Sequence, residues 1–375
     1  MINFVLQKIG LKKLDIYIIK KYLGTFFFTA FLFTLISMVV DFSEKTEKFV
    51  EASHTYSIWY IFRTYHLNWI PFINGILWPL FSLIAVIFFT SRIAYNSEII
   101  SILNAGVSFR RILRPYLLAA CILTSLLLLM NHYWIPMSNA PRLEFERKFI
   151  RASSDIKKTG TNMHFFISPD TKIYLRSYSS TDSTGYSFRL ERFAGIQLVY
   201  MLKSQFIDWN RTTHNSWKIK DYEIHRYQDS VESVEVHMNE QIDTVLNMLP
   251  SDFEFYEKQK DLMTTPELQA LVHKEESRGL NPVKGYLIEI YRRTADPFTI
   301  LILTIIGVSI AARKVRGGMG LHLALGIGIG AIFVFISKFS IVFSREPSIP
   351  TLLGIWLPNI TFGIVAYILF RRAQE

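Results

Sequence analysis

Apolar residues along this chain fall into two regimes. The first is a set of long uncharged runs: 22–40, 69–90 and 115–136 in the N-terminal part, then 297–312, 317–337 and 347–370 in the C-terminal part, the fifth span being drawn to 343. A helix needs about 20 apolar residues to cross a hydrocarbon layer, so each run predicts a membrane span. The short run at 297–312 gains length from the amphipathic stretch before it. The second regime lies between the two sets. From His164 to about Phe255 apolar and polar residues alternate in places, as in Lys172-Ile173-Tyr174-Leu175-Arg176, Tyr186-Ser187-Phe188-Arg189-Leu190 and Trp217-Lys218-Ile219-Lys220. Period two predicts strands. Turn signals at Ser168-Pro169-Asp170, Ser183-Thr184-Gly185 and from Asn210 to Asn215 separate them, and such spacing reads as an antiparallel sandwich or a curved jelly-roll sheet. A helix should follow, with Thr265 as N-cap, Pro266 at its first position and Gly279 past its end. A second helix over about 283–294 should feed the fourth span. The expected fold class is therefore an α+β membrane protein. Six transmembrane helices stand in a 3 + 3 arrangement around an inserted antiparallel β jelly-roll-like domain, with a membrane half at 1–136, the insertion at 137–296 and a second membrane half at 297–375.

Charge gives this arrangement a direction. The short segments 1–21, 91–114, 313–316 and 371–375 carry fourteen Lys and Arg, against four in 41–68 and 344–350. Basic loops stay inside, so both termini are expected in the cytoplasm and the β insertion outside. Residues 136–296 hold 22 basic and 23 acidic residues, so the net charge of +10 belongs to the membrane flanks. There it sets topology and attracts anionic lipid; it is not a nucleic-acid footprint. The lone cysteine, Cys121, excludes an internal disulfide and any four-cysteine metal site. The first run is span-length and lacks a small-residue cleavage site, so no cleavable signal peptide is expected.

Candidate chemistry is sparse. No phosphate-binding glycine loop is present, and Gly326, Gly328 and Gly330 lie inside the fifth run, where small residues let helices approach. The nine histidines lack metal spacing, so no metal, cofactor or catalytic residue is assigned. His132, Tyr133 and Trp134 suit an aromatic belt at the outer end of the third span. Lys338, the one charge near a span interior, either snorkels outward or faces a cavity. The most informative stretch is 91–108. Asn96 or Ser97 can cap a short helix whose first turn holds Glu98, and Ile99, Ile102 and Leu103 form one apolar stripe before Gly106. Such a helix either lies on the membrane or plugs into a soluble partner.

These residues resemble the LptF/LptG permease subunits of the lipopolysaccharide exporter, an ABC transporter of Gram-negative inner membranes. Leu14-Asp15-Ile16-Tyr17-Ile18 looks like the family's "LDRYI" at the start of the first span, with a lean toward the LptG side. Ser97 to Gly106 looks like its "SELxxMxAxG" coupling helix, expected at 97–104; Ile102 replaces the Met, and Asn104 the Ala, with Ala105 one place later. Trp134 and Pro136, Trp217-Lys218-Ile219 for a "WxL"-like strand, and Leu357-Pro358 also fit. The resemblance implies a heterodimer with a paralogous permease subunit, cytoplasmic ATPase subunits, lipopolysaccharide as cargo and periplasmic β-jelly-roll bridge proteins. It places the chain in the inner membrane, as a permease that takes lipid from the outer leaflet and passes it to the bridge.

From that resemblance, Glu98, Ile99, Ile102, Leu103 and Gly106 are the expected ATPase-coupling residues. Spans one and five would line a lipid cavity, with Phe26, Phe31, Leu32 and Leu35 on acyl chains and Lys45, Lys48 and Lys338 among the lipid-binding residues. The family carries basic residues at the outer end of span one, whereas here Asp41, Glu44 and Glu47 intervene. Asp41/Lys45 and Glu44/Lys48 then also read as i,i+4 pairs on a solvated helix. Two other classes stand beside this one: a polytopic enzyme whose external domain acts on envelope lipids, and a scaffold for envelope proteins.

Overall fold

The computed structural model describes residues 12–150, 162–179, 182–210, 216–228, 231–253, 259–278, 284–313 and 318–374. It divides into two compact units, one of Met1–Ile150 with Gly285–Glu375 and one of Arg151–Lys284.

The first unit is helical. Its six spans are α1 (Lys13–Glu44), α3 (Ile58–Tyr95), α5 (Phe109–Ile150), α7 (Lys284–Ala311), α8 (Gly318–Phe343) and α9 (Thr351–Gln374). Two short helices, α2 (Thr46–Ser53) and α4 (Glu98–Asn104), lie between the early spans. The helices extend beyond the apolar runs. α1 starts before Lys20 and Lys21, because lysine is a good helix former and its stem can lie along apolar surface. The amphipathic stretch before residue 297 is one helix with the fourth span.

Prolines inside these spans explain several polar residues. A proline removes its own N–H and clashes with the carbonyl four residues earlier, and no water is at hand in a bilayer to satisfy that carbonyl. Pro297 frees the Arg293 carbonyl, which accepts from Asn131 Nδ2 at 3.3 Å. Pro358 frees the Gly354 carbonyl, which accepts from Ser340 Oγ. Asn359 adds a bridge, accepting from Thr299 Oγ1 at 2.9 Å and donating to the Ala295 carbonyl at 2.7 Å. In the centre, Tyr22 Oη lies 2.6 Å from Ser82 Oγ and 2.9 Å from Thr304 Oγ1, joining α1, α3 and α7. Gly326 and Gly330 let α8 close on α3: a methyl at Gly330 would stand 2.6 Å from Leu80 Cδ1, and one at Gly326 would strike Ile87. Gly328 faces open space.

Among the described residues, the second unit holds one seven-stranded antiparallel sheet rather than the two sheets of a sandwich. Its strands are β1 (Met163–Ser168), β2 (Thr171–Leu175), β3 (Ser177–Ser179), β4 (Thr184–Ala194), β5 (Gln197–Trp209), β6 (Ser216–Gln228) and β7 (Val231–Val245), in the order β1-β2-β4-β5-β6-β7 with β3 on β4. Thr184 and Gly185, read from sequence as a turn, are the first residues of β4. Gly185 is required there because a Cβ would stand 2.7 Å from Leu175 Cδ2 and 2.8 Å from Ile207 Cγ2. Of the third turn signal, residues 211–215 lie outside the described residues, as does Gly279. Ser187, Asp221 and Asn239 have positive φ of 53°, 49° and 60°. With Gln205 they form a line across β4 to β7, because pairing skips at each. The register shifts at this line only between β6 and β7, where β7 carries the extra residues of a bulge. One face buries Ile173, Phe188, Ile207, Trp217 and Ile219 with Met248 and Phe253.

The helix α6 (Thr265–Ser277) follows. Its N-cap is Thr264, one residue earlier than the sequence reading, because Glu267 then stands at N3 and accepts the Thr264 N–H at 2.8 Å. Past its end, Arg278 is buried and reaches Asp252 Oδ2 at 2.7 Å and the Asn247 carbonyl, while Lys274 Nζ meets Asp252 Oδ1 at 2.9 Å. Burial alone would push the Asp252 carboxyl up, but Arg278, the Leu249 N–H and Lys274 hold it below the ordinary carboxylate value. The stabilisation is therefore present at neutral pH and is lost on acidification past 3.8. Asp252→Asn takes from buried Arg278 one of its two carboxylate partners, Glu275 remaining at 3.2 Å, so it should destabilise this unit by about 1–3 kcal/mol at pH 7. Hydrogen exchange of the strand amides in the full chain should show that loss, with a much smaller difference between the two proteins near pH 3.

Candidate functional site

The helix α4 is built to be rigid. Its C-terminus closes with two backbone bonds: Gly106 N–H to the Leu103 carbonyl at 2.9 Å, and Val107 N–H to the Ile102 carbonyl at 3.4 Å. That pattern needs a left-handed residue at the turn, and Gly106 supplies it with φ of 83°. The N-terminus departs from the sequence reading. Ser97 occupies the cap position in the left-handed region, φ 62°, and its side chain does not cap the helix; Ser101 Oγ instead donates to the Ser97 carbonyl at 3.0 Å. Asn96 Nδ2 lies 3.4 Å from Glu98 Oε1.

The apolar stripe is divided. Ile99 is buried, 1% exposed, in the core of the helical unit, and Ile102 and Val107 pack on that core. Leu103 and Ile100 are exposed, 38% and 39%, and Glu98 is half-buried beside them. The reason is geometric. A stripe read from period alone is one face, but the core of the spans covers only the part of it that carries Ile99 and Ile102. Ile99 is thus an anchor, and the outward surface is made by Glu98, Ile100, Leu103 and Asn104.

Close to α4, the first turn of α5 carries Arg111. Its two terminal nitrogens donate to Asp15, Nη1 to Oδ1 at 2.7 Å and Nη2 to Oδ2 at 2.6 Å. Asp15 Oδ2 also accepts the Lys12 N–H at 2.9 Å, capping its own helix. Sequence reasoning counted Arg111 only as a topology charge; the one signal was Asp15 in the quoted motif.

Two spans are thinly covered by the rest of the chain. Only 11% of the most apolar stretch of α1 and 22% of that of α8 are buried, against half or more for α3, α5 and α7. Phe31, Leu32 and Leu35 are exposed on α1. Phe26 is not with them: it is fully buried, edge-on to Trp78 at 5.2 Å, because its turn of α1 faces α3. Lys45 is engaged, with Nζ 2.5 Å from both Asp41 Oδ1 and Tyr65 Oη, so the Asp41/Lys45 pair forms inside the unit rather than on a solvated face. Lys48 pairs with Glu51 at 3.3 Å, not with Glu44, and is the more exposed of the two lysines. Lys338 is exposed on α8 and makes no hydrogen bond or ion pair among the described residues, although its charge acts on Asp296.

In the second unit, β7 is a fifteen-residue edge strand, exposed along nearly all its length, with Val234, Val236 and Met238 in water. Phe188 is only 1% exposed, although it borders a cavity in the sheet. That cavity, of about 330 Å³, opens over the line of unpaired residues, bordered also by Tyr174, Arg189, Lys203, Tyr222 and His237.

The sequence model of one family, described as lipopolysaccharide export system permease LptF/LptG, matches residues 16–372, nearly the whole chain. That description covers both subunit types, so it does not separate them. No curated protein matches the chain.

The two faces of α4 should respond differently to charge. Ile99→Asp places a carboxylate in the core and should cost about 3 kcal/mol or more, whereas Leu103→Asp at the exposed position should stay within about 0.5 kcal/mol. Thermal melting of the two purified variants in mild detergent checks this; equal melting would contradict the burial of Ile99.

Proposed function

Because the chain belongs to the LptF/LptG family of lipopolysaccharide export permeases, we propose that it works as one half of an ABC transporter driven by separate ATPase subunits. As a permease component it has no reaction of its own. The observation that carries this reading is the outward face of α4, a rigid helix anchored through Ile99 that offers Glu98, Ile100 and Leu103 to a partner. Helix-in-groove contacts use such apolar anchors, and a partner that hydrolyses ATP needs a stiff element to push on.

The remaining assignments follow the same logic. The termini and α4 lie in the cytoplasm and the β unit in the periplasm, by the bias of basic residues. A paralogous subunit completes the permease, and α1 and α8 border a cavity open to the outer leaflet. Phe31, Leu32 and Leu35 meet acyl chains there, and Lys48 and Lys338 meet phosphate. Phe26 and Lys45 are withdrawn from direct lipid contact, since one is buried and the other is held by Asp41 and Tyr65. The bridge protein pairs with the free edge of β7, as an extended strand adds to an unpaired sheet edge.

Co-expression with the ATPase and the second subunit tests this. ATPase should co-purify with the wild-type chain, and lipopolysaccharide should be found by mass spectrometry of the complex. Leu103→Asp should lose the ATPase, because an unpaired charge in an apolar groove costs several kcal/mol, enough to release a micromolar partner. Full ATPase recovery with Leu103→Asp, and unchanged transport, would remove the assignment.

Sidedness and edge pairing have separate checks. Ile196→Cys, at a position 98% exposed, should react with an impermeant maleimide in cells whose outer membrane alone is permeable. Labelling only after lysis of the inner membrane would reverse the topology. Val236→Lys on β7 should weaken capture of a periplasmic β-domain partner, since edge lysines block strand addition, while leaving ATPase recovery intact.

A further inference from the structure

The most apolar stretch of the first span is thinly packed, yet polar contacts hold the helix. Tyr22 with Ser82, Thr34 with Asn74 at 3.0 Å and Asp41 with Tyr65 at 3.3 Å join α1 to α3, and Tyr22 also meets Thr304 of α7. One further contact is different. Asp15 joins α1 to α5, the helix into which α4 leads, through both nitrogens of Arg111. The Asp15 side chain is 3% exposed, and its second bond, from the Lys12 N–H, fixes it to the start of its own helix.

The route from α4 to this contact is short and stiff. Gly106 and Val107 close α4 with backbone bonds, Ile99, Ile102 and Val107 seat it on the core, and the Arg111 N–H bonds to the Ser108 carbonyl at 2.9 Å as α5 begins. A bidentate guanidinium–carboxylate contact fixes direction as well as distance. It therefore transmits rotation and displacement, which one ammonium contact does not.

We infer that Arg111 is a positioning residue that passes movement of α4 to the first span through Asp15, so that work done at the coupling helix reaches the helix bordering the lipid cavity. This rests on the reading above, in which an ATPase acts on α4 and α1 faces the cargo. Arg111 touches neither nucleotide nor lipid in that reading. Its loss would separate ATP hydrolysis from lipid movement rather than abolish either partner's binding.

The test uses the assembled complex in proteoliposomes, with Arg111→Gln, Arg111→Lys and Asp15→Asn, each normalised to complex recovered. ATPase recovery and ATP turnover should stay within about twofold of wild type, while lipopolysaccharide extraction falls about tenfold, a size expected for breaking a coupling path. Arg111→Lys keeps the charge and should be intermediate. Spin labels at Val39 on α1 and Leu129 on α5, both exposed, supply a readout that simple destabilisation would not move. Their separation should change between the nucleotide-free and vanadate-trapped states in wild type, and should not change in Arg111→Gln, while a control pair at Ile76 and Leu129 behaves alike in both. Extraction and turnover falling together, unchanged extraction, or a persisting label shift in Arg111→Gln would each overturn the inference. A wild-type complex that holds no ATPase would instead overturn the underlying reading, and is recognised before any variant is compared.

Discussion

The structure depends first on satisfying backbone and polar groups where no water is available. A membrane helix closes its own hydrogen bonds except where proline interrupts it, and then the freed carbonyl needs a donor from a neighbour. Asn131 meets that need beside Pro297, and Ser340 beside Pro358. Each such bond fixes the rotation of one span against another, because a donor on the wrong face would leave both groups unsatisfied. The bundle is thus registered by a few polar contacts, while the apolar surface around them supplies close packing without direction. Within lipid, apolar contact between helices gains little over contact with lipid tails, so these directional bonds carry more of the specificity than they would in a water-soluble core.

That constraint explains why α1 can be thinly covered and still hold its place. Its polar contacts stand along one side, at Asp15, Tyr22, Thr34 and Asp41 with Lys45, and each meets α3, α5 or α7. The other side is left to Phe31, Leu32 and Leu35. A helix held this way can tilt about its contacts without exposing a polar group to hydrocarbon. Dense packing on all sides would forbid such movement, since packed interiors are stiff.

Much of the fold is legible in the sequence because its signals are local. Run length gives spans and period two gives strands, and both need only neighbouring residues. What sequence could not show depends on partners far along the chain. Arg111 and Asp15 are 96 positions apart, and nothing near Asn131 reveals that it serves a carbonyl on α7. The stripe Ile99/Ile102/Leu103 was legible as a face, but its division into an inward anchor and an exposed residue depends on where the core of the spans meets it. Phe26 and Phe31 look alike in sequence, and only the position of Trp78 separates a core ring from an exposed one. Thr184 and Gly185 have turn composition, yet the close approach of Leu175 and Ile207 requires a glycine inside the strand. Cap chemistry failed at Ser97 because its backbone is left-handed there, whereas a capping serine needs an extended one.

Exposed apolar surface means different things in the two units. On α1 and α8 it faces hydrocarbon, where exposure costs nothing, so it is compatible with lipid and a partner helix alike. On β7 the same residues face water. Val234, Val236 and Met238 lie along an edge whose outward N–H and C=O groups are open to pairing. A long apolar edge in water is an aggregation hazard that proteins ordinarily block with short strands, proline or inward charge. β7 has none of these: it runs fifteen residues without proline. Of its four acidic residues, Glu232, Glu235 and Glu240 are drawn to His225, Arg226 and His237, and Asp243 accepts from Gln241 of the same strand. The difference in solvent is why the free edge of β7, more than the bare faces of the spans, calls for a partner: burial of that strand is favourable only in an assembly, whereas the spans are already at rest in lipid.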